Sequence, residues 1–181
     1  MNCSATLTAI AGQCGKTLGG IRRFFIINRD KIGEITVSEG AVTAITLAAQ
    51  NPAPGDGFIS YGFKRGTANV ATTGNADDQG RNNSFTTVAT LEFMKQETAK
   101  RVALQAIVET DAYAVWEDNN SKRFLMGYDT AIASNVNSET GSGYTEDNKY
   151  VLSITDNSLE LPYEITMTEQ AWEAILDENL E

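Results

Sequence analysis

Four stretches of this 181-residue chain hold side chains of types that do chemistry. Gly12-Gln13-Cys14-Gly15-Lys16-Thr17 resembles the end of a phosphate-binding loop, where glycine amides cradle phosphates and a lysine reaches them. The full spacing needs a glycine where Ile10 stands and a helix start where Leu18-Gly19-Gly20 follows, so a glycine-containing arm is the better reading. Asn75-Ala76-Asp77-Asp78-Gln79-Gly80 imitates a calcium loop. Its last ligand position, which wants a bidentate Glu, is Thr86, and a solvated turn of Asn and Asp accounts for it. Glu117-Asp118 and Glu146-Asp147 are paired carboxylates, the groups of glycoside hydrolysis. Neighbours on one loop do not face each other across a cleft of ~5–10 Å, so only the two pairs together would serve, as a hydrolase. Cys3 and Cys14 have no imidazole partner because the chain has no histidine, and two thiols make a weak metal site. The expectation is a protein that is not an enzyme, with no catalytic, cofactor or metal residues.

Charge separates along the chain. Formal net charge is −10, which argues against a groove that binds nucleic acid through its phosphates. Residues 1–36 carry five basic side chains (Lys16, Arg22, Arg23, Arg29, Lys31) against Asp30 and Glu34. From Glu146 onward ten carboxylates face Lys149 alone. A basic head and an acidic tail are expected either to meet between neighbouring subunits or to be merely solvated. Two cysteines are too few for a disulfide framework, no secretory leader is visible, and no apolar run reaches the ~18 residues of a membrane span. A soluble protein, intracellular when made, is expected, with no membrane partner.

The elements that position these residues follow from apolar spacing. Residues 1–20 read as an extended arm or a small helical turn. Arg23–Asn28 is a short apolar run, a buried strand. Glu34–Val37 and Ala41–Leu47 flank Ser38-Glu39-Gly40, a hairpin signal. Phe58–Phe63 alternates as a strand, and 66–84 reads as a long polar loop. Phe85–Met94 puts Phe85, Thr87, Ala89, Leu91 and Phe93 on one face of a strand. The following helix, Glu97–Glu109, shows a stripe of Ala99, Val102, Ala103, Ala106 and Ile107, which would place Ala103 and Ala106 against a sheet; Glu97 and Arg101 would pair outside. Tyr113–Trp116 and Arg123–Met126 form another hairpin, and 137–148 is a second long loop; both long loops are expected to be mobile or to cross between subunits. Lys149–Thr155 and Leu159–Ile165 are strands, the latter an edge or bulge because of Pro162. Thr168 caps a last helix, with Met167 and Trp172 as its staple. Repeated βαβ units are missing, so one domain of mainly antiparallel β, a barrel or sandwich with one internal and one C-terminal helix, is predicted. Trp116 and Trp172 read as core or interface anchors, and Tyr163 beside Pro162 as packing for a sheet edge.

Four segments also carry a resemblance. Val115-Trp116-Glu117-Asp118, Lys122-Arg123-Phe124-Leu125-Met126-Gly127, Tyr150-Val151-Leu152-Ser153-Ile154-Thr155 and Leu161-Pro162-Tyr163-Glu164-Ile165 follow one another in an order that resembles tail-tube-like and head–tail connector ring proteins of phages infecting Bacteroides and its relatives, including crAss-like phages. The resemblance runs from Phe85 to Ile165, with Asn119-Asn120-Ser121 in place of a tighter glycine turn. It implies a virion subunit of the tail or connector, in a six- or twelve-fold ring or tube through which DNA passes without specific binding. Other tail or portal-proximal proteins would be its neighbours, and no catalytic residues carry over. Arg22, Arg23, Arg29, Trp116, Pro162 and Tyr163 are the candidates for subunit contacts. A sandwich-fold binding or adhesion module on a cell or virion surface is the alternative.

Overall fold

A continuous apolar run, Phe24-Phe25-Ile26-Ile27, is buried on both sides, and that fact organises the molecule. Side chains alternate across a strand, so Phe24 and Ile26 enter one core while Phe25 and Ile27 enter another. The computed structural model describes residues 10, 17–76, 83–143 and 145–177. It contains β1 (Ile21–Asn28), β2 (Ile32–Ser38), β3 (Ala41–Leu47), β4 (Ile59–Ser60), β5 (Asn69–Asn75), β6 (Ser84–Met94), α1 (Thr98–Glu109), β7 (Ala112–Asp118), β8 (Arg123–Met126), β9 (Ala133–Glu139), β10 (Lys149–Ser158), β11 (Tyr163–Ile165) and α2 (Glu169–Glu173).

The strands form two sheets. One has seven strands in the order β2-β3-β11-β8-β7-β1-β4, the other four in the order β5-β6-β10-β9. Pairing is antiparallel except between β11 and β3. The fold is therefore mainly β, as composition and period predict, and among the described residues there are two α-helices and no closed barrel. Between the sheets lies a core of Phe24, Ala114, Trp116 and Met126 from the large sheet against Ala89, Leu91, Leu152 and Ile154 from the small one. The opposite face of the large sheet packs Phe25, Val115, Leu125 and Ile165 around Trp172 of α2. Trp172 meets Phe25 edge-on at 5.4 Å between centroids and Phe58 at 5.1 Å. Without α2 this face would be open to water.

Local signals explain most boundaries. Glu39 and Gly40 both have positive φ (52° and 78°), the backbone a two-residue hairpin turn with the right-handed twist requires. Thr168 caps α2, its hydroxyl accepting from the Ala171 amide at 3.3 Å, and Met167 packs into the cluster that holds Trp172.

Six expectations need correction. The segment 66–84 is not one loop: β5 lies inside it and β6 begins at Ser84, because a Thr/Asn/Gly stretch pairs readily when a long neighbour supplies the ladder. Likewise 137–139 belongs to β9. In α1 the buried residues are Leu104 and Ile107, while Ala99, Val102, Ala103 and Ala106 face solvent. Two stripes compete on this helix, and burying Leu104 removes more apolar area from water than burying alanines. Glu97 sits near Lys100 at 3.5 Å, and Arg101 bonds to Gln105 instead. Finally, β11 is an internal strand between β3 and β8; Pro162, which has no N–H to give, stands just before it rather than marking an edge. Phe58–Phe63 shrinks to a two-residue strand, since Phe58 bridges Leu176 and the chain leaves β1 after Tyr61.

Candidate functional site

A groove of about 830 Å³ opens at one end of the large sheet, between Leu18–Arg23 and the segment Ser60–Gly66. Its cause is a mismatch in strand length. β1 has eight residues and β4 two, so their ladder holds only Phe25 opposite Ser60 and Ile26 opposite Ile59, closed by the Tyr61 amide on the Phe24 carbonyl. Beyond that bond the two segments part. Arg22, Arg23, Arg65, Tyr61 and Phe63 line the space, and among the described residues no carboxylate does. Tyr61 and Phe63 pack against the inter-sheet core, and burial pushes the Tyr61 phenol above its ordinary value.

Beneath the groove lies a row of charges. The register sets Arg23 of β1 opposite Glu117 of β7, and Glu117 opposite Arg123 of β8. Glu117 is fully buried. Its carboxylate accepts from Arg23 Nε at 3.2 Å and Nη2 at 2.7 Å, a two-pronged contact, and from Arg123 Nε at 2.9 Å. Arg22 Nη1 approaches at 3.6 Å. Adjacent residues on a regular strand point to opposite faces; the irregularity in the β1–β7 register between Ile21 and Arg23 lets both arginines reach one carboxylate. Thr168 starts α2 so that Glu169 lies over this row, accepting from Arg123 Nη2 and standing 3.7 Å from Arg23. The Arg123 guanidinium lowers the Glu169 pKa below the ordinary carboxylate value, with Arg23 and Arg22 adding to it. Arg123 also lies 5.2 Å over the Trp172 ring.

The hairpin loop Asn119-Asn120-Ser121 holds the groove's other wall. Asn119 Nδ2 donates to the Gly19 carbonyl at 2.6 Å, Asn120 Nδ2 to Leu18 at 3.0 Å, and Asn120 Oδ1 accepts from the Leu18 amide at 3.1 Å. A glycine turn would lack these side chains. Asp118 shapes the loop, accepting from the amides of Asn120 and Lys122.

The contact candidates fall into two groups. Arg22, with a side chain 58% exposed, borders the groove. The others are engaged inside the chain. Arg23 binds Glu117; Arg29 donates to the Tyr128 carbonyl at 3.1 Å and lies over Tyr113; Trp116 is buried, stacked on Phe124 at 5.2 Å. Tyr163 is half-buried, edge-on to Tyr128, and donates to Glu160, which raises its pKa to about 12; Pro162 beside it is half-buried. Head and tail charges thus meet within one chain, through Arg23 and Glu169. The meeting of Glu117 with Arg23, Arg123 and Glu169 is not legible in the sequence, because only cross-strand register and the seat of α2 bring them together; Arg65 enters through the fold of the segment after β4.

The paired carboxylates do not face one another across a cleft. Glu117 is enclosed by guanidinium groups, Glu146 accepts from the Ser142 and Gly143 amides of its own loop, and Asp147 pairs with Lys64 at 2.6 Å. Those bonds from Ser142 and Gly143 hold the Glu146 pKa low. Thr86 of the calcium-like stretch sits in β6, bonded to Asn75 at 3.1 Å across the hairpin; Asp77, Asp78, Gln79 and Gly80 lie outside the described residues. So do Cys3 and the stretch Gly12–Lys16, and with them most of the arm expected over 1–20. Among the described residues no group of three or more His, Cys, Asp or Glu is placed to hold a metal, and no helix is long and apolar enough to cross a membrane. Comparison with family models, with curated proteins and with solved structures gives no match.

Proposed function

We propose that this chain is a structural subunit of a phage virion, one copy of a ring or tube in the tail or head–tail connector. The observation that carries this reading is the pair of strands bounding the small sheet. β5 (Asn-Val-Ala-Thr-Thr-Gly-Asn) and β9 (Ala-Ser-Asn-Val-Asn-Ser-Glu) are both edge strands, and their only charge is Glu139 at the end of β9. Neither has a proline, a lysine or a register irregularity, the devices that keep a free edge from pairing with another chain. Such edges suit copies that complete each other's sheets, with head-to-tail contacts closing by rotation into a ring of six or twelve. A net charge of −10 suits a lumen through which DNA moves without being held. The order of segments from Phe85 to Ile165 points the same way.

Ala71 and Thr73 are exposed on β5, so the double variant Ala71→Lys, Thr73→Lys charges that edge without touching the core. Wild type should form rings or tubes visible by negative-stain microscopy at high protein concentration, and the variant should stay monomeric with an unchanged melt. Wild type that remains monomeric at every concentration, alone and with virion proteins of its source, overturns the reading. A sandwich-fold binding or adhesion module is the second reading, favoured by the arginine-lined groove.

A further inference from the structure

We infer that the groove is a docking site for an extended, acidic peptide segment of a partner protein, which adds as a strand where β1 loses its neighbour. The inference stands apart from the assembly reading, which concerns the small sheet.

Three observations carry it. The first is the edge. β1 is paired along its length with β7, from Ile21 to Asn28, but on its other side the ladder with β4 stops at Phe24. The backbone around Ile21–Arg23 lines the groove with no described strand paired on that side, which is the setting for strand addition: main-chain hydrogen bonds supply affinity and alternate side chains supply specificity. The second is charge. Arg22, Arg23 and Arg65 line the groove, in a chain whose net charge is −10. Glu117 and Glu169 hold Arg23 and Arg123 in place from below, whereas Arg65 pairs with no carboxylate among the described residues. Carboxylates on the incoming segment are the complement. The third is the apolar floor, made by Tyr61 and Phe63, which receives the alternate, uncharged side chains of an extended segment.

These features favour a peptide over single-stranded nucleic acid. Three arginines in one short groove make a small phosphate-tracking surface on a strongly acidic molecule, and an unpaired strand edge offers nothing to a base. They also favour a partner over a second copy, because the described edge strands of a copy, β2, β4, β5 and β9, hold only Glu34 and Glu139 as carboxylates and offer the groove no acidic row.

The test uses fluorescence anisotropy with the full chain and a labelled peptide, acetyl-Glu-Val-Glu-Val-Glu-Val-Glu-amide. The controls are its lysine counterpart, the same acidic peptide with alternate backbone amides N-methylated, and a short oligothymidylate. The acidic peptide should bind, and the lysine and N-methylated peptides should bind at least tenfold more weakly. Arg65→Glu should weaken binding about tenfold with an unchanged melting temperature, since Arg65 is exposed and pairs with no carboxylate among the described residues. Failure of the acidic peptide to bind overturns the inference. So does binding indifferent to N-methylation or to Arg65→Glu, tighter binding of the oligothymidylate, or displacement of the peptide by an excess of unlabelled chain.

Discussion

Replacing Glu117 with Gln tests whether the row of charges under the groove holds the large sheet together. The carboxylate is fully buried and accepts three hydrogen bonds from guanidinium groups, two from Arg23 and one from Arg123. Gln keeps one acceptor and turns the other oxygen into an NH2 group that faces a donor. Removing one partner of a buried ion pair costs about 3–5 kcal/mol, because the other charge stays buried and uncompensated. Two features reduce that here: Arg123 keeps Glu169, and the Arg23 side chain is 35% exposed and rehydrates. We take about 3 kcal/mol, the low end of that range. At about 2–4 °C per kcal/mol for a chain of this size, the melting temperature should fall by roughly 6–12 °C. Arg22→Gln is the control. Its side chain is 58% exposed and 3.6 Å from Glu117, so the loss should be under about 1 kcal/mol. Urea unfolding should show a lower midpoint for Glu117→Gln at an unchanged slope, meaning lost stability rather than a changed unfolded state. A Glu117→Gln protein that melts within 2 °C of wild type, or an Arg22→Gln protein that loses more, refutes the argument.

Asp156 is buried with one oxygen accepting from the Gly127 amide at 2.9 Å and the other unpartnered, and burial raises its pKa. A raised folded pKa means that the ionised form is the costly one, so Asp156→Asn should match or exceed wild-type stability at pH 7. Any gain should vanish as pH falls through the folded pKa; melts at pH 7 and pH 4 check this. At Gly57 a Cβ would come within 2.8 Å of both the Asp177 amide and the Ile175 carbonyl, so Gly57→Ala should cost about 1–3 kcal/mol in urea titrations by prising the segment Ile175–Asp177, just after α2, from Phe58. On α1, Leu104→Ala should cost about 2–5 kcal/mol while Ala106→Glu stays within about 0.5 kcal/mol of wild type; the opposite ranking in thermal melts would restore the alanine stripe to the core.

What the chain alone determines here is local. The period-2 pattern of Phe85–Met94 needs no partner to declare which side chains go inward, and Thr87, Ala89, Leu91 and Phe93 do. Glu39-Gly40 and Thr168 act through their own backbone neighbours, so a turn and a helix start are legible from a few residues. Within Arg23–Asn28 the run Phe24–Ile27 is legible as buried, since no alternation leaves it a wet face. What tertiary structure decided is each choice between near-equal local options. α1 carries two apolar faces, and the sheets it bridges select Leu104 and Ile107 over the alanines. β5 has weak intrinsic preference and becomes a strand because β6 supplies seven consecutive partners. The candidate site is of this second kind. Glu117 and Arg123 are six residues apart, but Arg23 is 94 residues from Glu117 and Glu169 is 46 from Arg123. Their meeting depends on the registers of β1, β7 and β8 and on where Trp172 seats α2, and strand register over such separations is set by packing of the whole core.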